Sequence, residues 1–150
     1  MAGNTSPIFV SRGQVSTDGV ITSSATMSQS ITTAAADYTG AGAANALVFT
    51  AESTKGSFVE RIRFKASGTN TASVARIFIN NGADNTSAAN NTFYGEQTLT
   101  ASTASAVIAT NEIDYHINIA LPPGFRIYVG LGTTVAAGWT ATAIGGDYIL

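Results

Sequence analysis

The chain has 150 residues, no cysteine and a formal net charge of −2, and only 11% of its residues are charged, against about 25% in ordinary soluble domains. That length suits a single domain over residues 1–150, with a core large enough to need no disulfide or metal staple, and the missing cysteines exclude thiol nucleophiles and thiolate metal sites. A near-neutral balance with a pI of about 5.1 excludes global attraction to nucleic acid or anionic lipid, and no run approaches the roughly 18 apolar residues of a membrane span.

In chain order, the opening "MAGNTSPIFVSRGQ" has neither a basic start nor a central apolar stretch, so no secretory signal is expected there. Residues 1–12 read as an extended N-terminal arm. Pro7, Ile8, Phe9 and Val10 are its apolar segment, suited to adding a strand to a partner's sheet through main-chain hydrogen bonds. "QVSTDGVITSS" (14–24) is a strand candidate with Asp18-Gly19 as a two-residue turn. "TTAAADYTGAGAANA" (32–46) carries alanine but also glycines, and it lacks the apolar stripe of a helix.

Beyond it the strand signal strengthens. "ALVFTA" is short and apolar. In "SFVERIRFKA" (57–66), Phe58, Ile62, Phe64 and Ala66 share one parity, while Arg61, Arg63 and Lys65 share the other. This predicts a half-buried strand with a basic outer face. "SVARIFIN" (73–80) is apolar on both parities, which leaves Val74 and Phe78 for a second layer or a partner subunit. Residues 80–91 form a loop by composition. "TFYGEQTLTA" and "SAVIAT" (105–110) follow as strand candidates, and "EIDYHINIAL" (112–121) alternates throughout. Pro123-Gly124 suits the centre of a type II turn, predicting that the strands on either side are antiparallel neighbours. After it Phe125, Ile127, Val129 and Leu131 resume the alternation, leaving Tyr128 on the opposite side as an aromatic available for contact. Tyr115 and Trp139 are expected in the core. "RIRFKASGTNTASVARIF" and "FRIYVGLGTTVAAGWTATAI" look like two similar hairpins.

About eight strands separated by turns predict an all-β fold: an antiparallel β-sandwich, jelly-roll-like, ahead of an immunoglobulin-like sandwich whose Cys–Trp–Cys pattern is missing.

Catalytic constellations are not evident. His116, the single histidine, shares a strand face with Glu112 and Asp114, but no serine or threonine is tied to it by a motif, and one histidine is short of a metal ligand set. The loop 80–91 carries one acid, too few for an EF-hand-like calcium site. Arg61, Arg63 and Lys65 are three cations on one face, against the roughly 6–10 phosphates that a tight nucleic-acid binder neutralises. They are expected to meet either Glu112 and Asp114 on a neighbouring strand or an acidic partner surface. No enzyme activity, cofactor or metal is expected.

The segments "NTSPIFVSRGQVSTDG", "FVERIRFKASGTNTASVARIFINNG" and "LPPGFRIYVGLGTTVAAGWTATAIGGDY" resemble, in style and order, the capsid decoration (cement) proteins of tailed bacteriophages. The resemblance implies a jelly-roll-like virion protein, trimeric, made in the bacterial host cytoplasm. It would bind the major capsid protein non-covalently on the outer capsid surface and brace the shell against internal DNA pressure. The alternative is a phage tail or receptor- or carbohydrate-binding β-sandwich, which a cluster of exposed aromatic residues would favour.

Overall fold

The computed structural model describes residues 10–16, 29–35 and 37–148. Among them are nine strands: β1 (Val10–Ser16), β2 (Gln29–Ile31), β3 (Ala46–Thr50), β4 (Ser57–Ala66), β5 (Ser73–Asn80), β6 (Asn91–Leu99), β7 (Glu112–Leu121), β8 (Arg126–Leu131) and β9 (Trp139–Tyr148). Among the described residues the helical content is a single 3-10 turn, Ala88–Asn90, just before β6.

One sheet runs β1-β9-β4-β7, with β2 also on β9; the other runs β3-β8-β5-β6. All named pairs are antiparallel. The pairs β1 with β9, β3 with β8, β4 with β7 and β5 with β6 nest inside one another along the chain, the winding of a jelly roll. β1 and β2 occupy successive stretches of one edge, Ser16 opposite Ala143 and Gln29 opposite Ala141, so nine strands fill eight positions of that fold.

Inward-facing side chains from both sheets form one core, including Val59, Ile62, Phe64, Ile77, Leu99, Ile127, Leu131 and Trp139, each fully buried. Alternation explains where β4, β5 and β7 begin and end, but not every parity. In β4 the register shifts between Val59 and Arg61 against both neighbours. That bulge at Glu60 turns Ser57 and Val59 inward alongside Ile62 and Phe64, so Phe58, expected in the core, faces outward and is half-buried.

Several sequence expectations change. Pro122–Phe125 does close as a tight turn, with the Phe125 N–H donating to the Pro122 carbonyl (3.2 Å) and Gly124 at φ +75°. Its flanking strands are not neighbours, however: β7 lies in one sheet and β8 in the other. The turn is an arch between layers, because a strand leaving a sandwich edge can bury its apolar face by crossing to the facing sheet. The two supposed hairpins are arches too, β4 to β5 and β8 to β9. "SAVIAT" is a loop, with Val107 and Ile108 exposed. Val10 and Arg12, expected in the arm, instead lie in β1, paired with Tyr148 and Asp147 of the same chain. Pro7, Ile8, Phe9 and the Asp18-Gly19 turn lie outside the described residues.

Candidate interaction surface

The outer face of the β7-β4-β9 sheet carries three of the seven basic residues. Alternation puts Arg61, Arg63 and Lys65 outward from β4, and antiparallel register sets them opposite His116, Asp114 and Glu112 of β7. Asp114 accepts a bidentate pair from Arg63, Nε to Oδ1 at 2.9 Å and Nη2 to Oδ2 at 3.1 Å, while Arg61 Nε stands 3.4 Å from Oδ2. Glu112 bridges Arg63 and Lys65 at 3.6 and 3.8 Å. Arg61 also pairs with Glu60, and Lys65 donates to the Thr110 carbonyl at 2.8 Å. The hydrogen bonds from Arg63, with the nearby positive charges, hold the Asp114 carboxyl below its ordinary range. Of the two expected partners for this face, the structure supplies the neighbouring strand.

The outer face of the other sheet is covered by its own chain. Residues 32–35 and 37–45, between β2 and β3, run across it: the Ala35 N–H donates to the Leu131 carbonyl (2.8 Å) and Gly42 N–H to the Asn85 carbonyl (2.9 Å). Gly40 lies on the ring of Phe78, and Asn45 lies over Gly130. Phe78 is therefore completely buried and Tyr128 is 8% exposed, so neither is free for a subunit contact as the sequence suggested. The physical reason is intramolecular: the segment that would have been a loop serves as the second layer. Val74, on the same strand as Phe78 and opposite Thr98 of β6, stays half-buried.

Arg76 pins this cover. Its Nη1 donates to the carbonyls of Ala35 (2.9 Å) and Asp37 (3.3 Å), and its Nε pairs with Glu96 at 3.2 Å. Its guanidinium carbon stands 4.1 Å from the centre of the Tyr38 ring, and Tyr38 meets Phe93 edge-on at 5.1 Å. Tyr38, Phe93 and Tyr94 are exposed, and none was singled out as a contact residue from sequence. β6 shifts register between its partners Ile77 and Phe78, which lets Phe93 and Tyr94 both avoid the core. Tyr94 turns toward the sandwich edge, its hydroxyl donating to the Ile117 carbonyl at 3.4 Å.

Among the described residues no group of three His, Cys, Asp or Glu side chains is arranged to hold a metal ion, and no helix is long and apolar enough to cross a membrane. Comparisons with family models, with curated proteins and with solved structures find no match to this chain.

Proposed function

We propose that this chain is a structural virion protein that decorates and stabilises a bacteriophage capsid by non-covalent binding to the major capsid protein, acting as a trimer. One observation carries the reading toward adhesion. The charged ladder of β4 and β7 is spent within the molecule, while Tyr38, Phe93, Tyr94, Val107 and Ile108 stay exposed on a disulfide-free sandwich. Exposed apolar side chains that adjoin one another, as Tyr38 does Phe93 and Val107 does Ile108, mark interaction surfaces. The jelly roll is an architecture shared by viral capsid and lectin domains, which is compatible with the resemblance in sequence style. Many weak contacts repeated around a particle give tight attachment through avidity.

Co-sedimentation with expanded empty capsids, assembled from the shell protein of the same genome, tests this. Saturable binding supports it, and absence of binding at micromolar protein overturns it. The exposed Tyr38–Phe93 pair favours a second reading, a carbohydrate-binding domain, because tyrosine and phenylalanine rings stack on sugar faces. Glycan binding lost in Tyr38→Ala, without capsid binding, would select that reading.

A further inference from the structure

The two ends of the sandwich differ in charge. At one end lie, among the described residues, the start of the β2–β3 link (32–35) and the connections 67–72, 100–111 and 132–138, and these stretches contain no Asp, Glu, Lys, Arg or His. The opposite end carries Glu52, Lys55 and Asp84 in its loops. In a chain with 16 acidic and basic residues (7 Lys+Arg and 9 Asp+Glu) this separation leaves one pole built from Thr, Ser, Ala, Gly and Asn around an apolar pair.

The pole is a fixed structure, organised by Asn70, which is 4% exposed. Its Oδ1 accepts from the N–H groups of Ala137 (2.8 Å) and Gly138 (3.0 Å), and its Nδ2 donates to the Gly138 carbonyl at 2.8 Å. Its main chain exchanges two hydrogen bonds with Ser102, at 2.9 and 3.0 Å. Thr69 Oγ1 accepts from Ala104 N–H, and Val135 N–H donates to the Thr32 carbonyl. On this platform Ser105 Oγ accepts from the N–H groups of both Val107 (3.1 Å) and Ile108 (3.2 Å). The two aliphatic residues are thereby held at the loop's crest, 90% and 70% exposed.

We infer that this uncharged pole is the docking face, with Val107 and Ile108 as its anchors, and that its occupant is an uncharged apolar recess on a protein surface. Resting on the capsid reading above, that surface belongs to the shell protein. Depletion of charge at the centre with charge at the rim is the composition of a protein interface; here Lys65 and Glu112 stand at the margin, next to Thr110 and Asn111. Anionic lipid and nucleic acid need cations that the pole lacks. Two projecting side chains need a hollow to enter, and small neighbours such as Ala104, Ala106 and Ala109 let a partner backbone approach closely.

The test compares wild type, Val107→Asp/Ile108→Asp, Val107→Ala/Ile108→Ala and, at the far end, Lys55→Ser, all as full chains, for binding to the empty capsids by sedimentation. Thermal unfolding, sedimentation equilibrium and flotation with phosphatidylcholine vesicles accompany it. The alanine pair should weaken binding by about a hundredfold, tenfold for each anchor. The aspartate pair should abolish it, with melting temperature and oligomeric state unchanged and Lys55→Ser equal to wild type. If the aspartate variant coats capsids like wild type, the pole is not the docking face although the decoration reading stands. If wild type itself fails to coat, both fall. A change of oligomeric state in the aspartate variant would assign the pole to a second copy, and vesicle binding by wild type that the variant loses would assign it to lipid; either overturns the inference.

Discussion

Gly40 rests directly on the ring of Phe78: a Cβ added to it would stand 2.7 Å from the phenyl Cγ, and its φ is +71°. Both facts demand glycine, since an L side chain is strained in that conformation and the aromatic ring has no room to retreat. Gly40→Ala is expected to destabilise the protein by about 1–3 kcal/mol, which at this chain length lowers the melting temperature by about 2–4 °C per kcal/mol. Differential scanning calorimetry measures it. An unchanged melting temperature would mean that residues 37–42 do not lie on β5 as described.

Arg76 holds the same segment by different means, through hydrogen bonds to Ala35 and Asp37 carbonyls and the face of Tyr38. Arg76→Met keeps much of the apolar stem and removes these charged donors. A loss of about 2 kcal/mol is expected, the size of a hydrogen bond to a charged group. Amide hydrogen exchange over residues 35–42 should accelerate while that of β4 and β9 stays near wild type. Uniform acceleration would instead place Arg76 in the global core.

The contrast between these residues and the strands explains what was legible in the sequence. β4, β5 and β7 were bounded correctly because alternation records which face is buried, residue by residue. The Arg63–Asp114 pairing was one of two options since opposite charges on outward faces are visible before their register is. The parity of Tyr128 was also right: it does face away from the core. Its burial was not foreseeable, because the cover comes from residues 32–35 and 37–45, far off in the chain and with no periodic signal. Bulges at Glu60 and Tyr94 reverse parity without any mark in composition. Sheet membership was hidden as well, since a Pro-Gly turn closes an arch between layers as readily as a hairpin. Val107 and Ile108 looked like strand residues because a short apolar run carries no statement of its own exposure.

Asp114 makes stability depend on acid pH. Its carboxyl is held below the ordinary value of 3.8, first by the hydrogen bonds from Arg63. A depressed carboxyl contributes stability that is present above the unfolded-state pKa and is lost as pH falls through the folded one. Asp114→Asn should therefore be less stable than wild type at pH 7, by about 1 kcal/mol for a half-exposed pair. The two proteins should converge as pH drops below 3.8. Asp37, Glu52 and Asp84 are also depressed, but by hydrogen bonds in their own turns, so they cancel in the difference. Urea unfolding at a series of pH values gives the comparison; a gap that persists unchanged into strong acid would refute the assignment.

Ser57 and Asp147 form a buried polar pair at the end of β4 and β9. The Ser57 hydroxyl donates to Asp147 Oδ1 at 2.7 Å and accepts from the Glu52 N–H at 2.8 Å, and the two residues are 0% and 4% exposed. Ser57→Ala deprives a buried carboxylate of one donor and a main-chain N–H of its acceptor, at a cost of about 1–3 kcal/mol. The midpoint of urea unfolding should fall with its slope unchanged, since the exposed surface is the same. A double-mutant cycle with Asp147→Asn then separates the two partners. A coupling clearly above the additive limit of about 0.5 kcal/mol assigns the loss to the hydroxyl–carboxylate bond. A coupling near zero, with the single-mutant loss intact, assigns it to the Glu52 N–H, and the serine then acts as a clasp for the β3–β4 connection rather than as a partner of the acid.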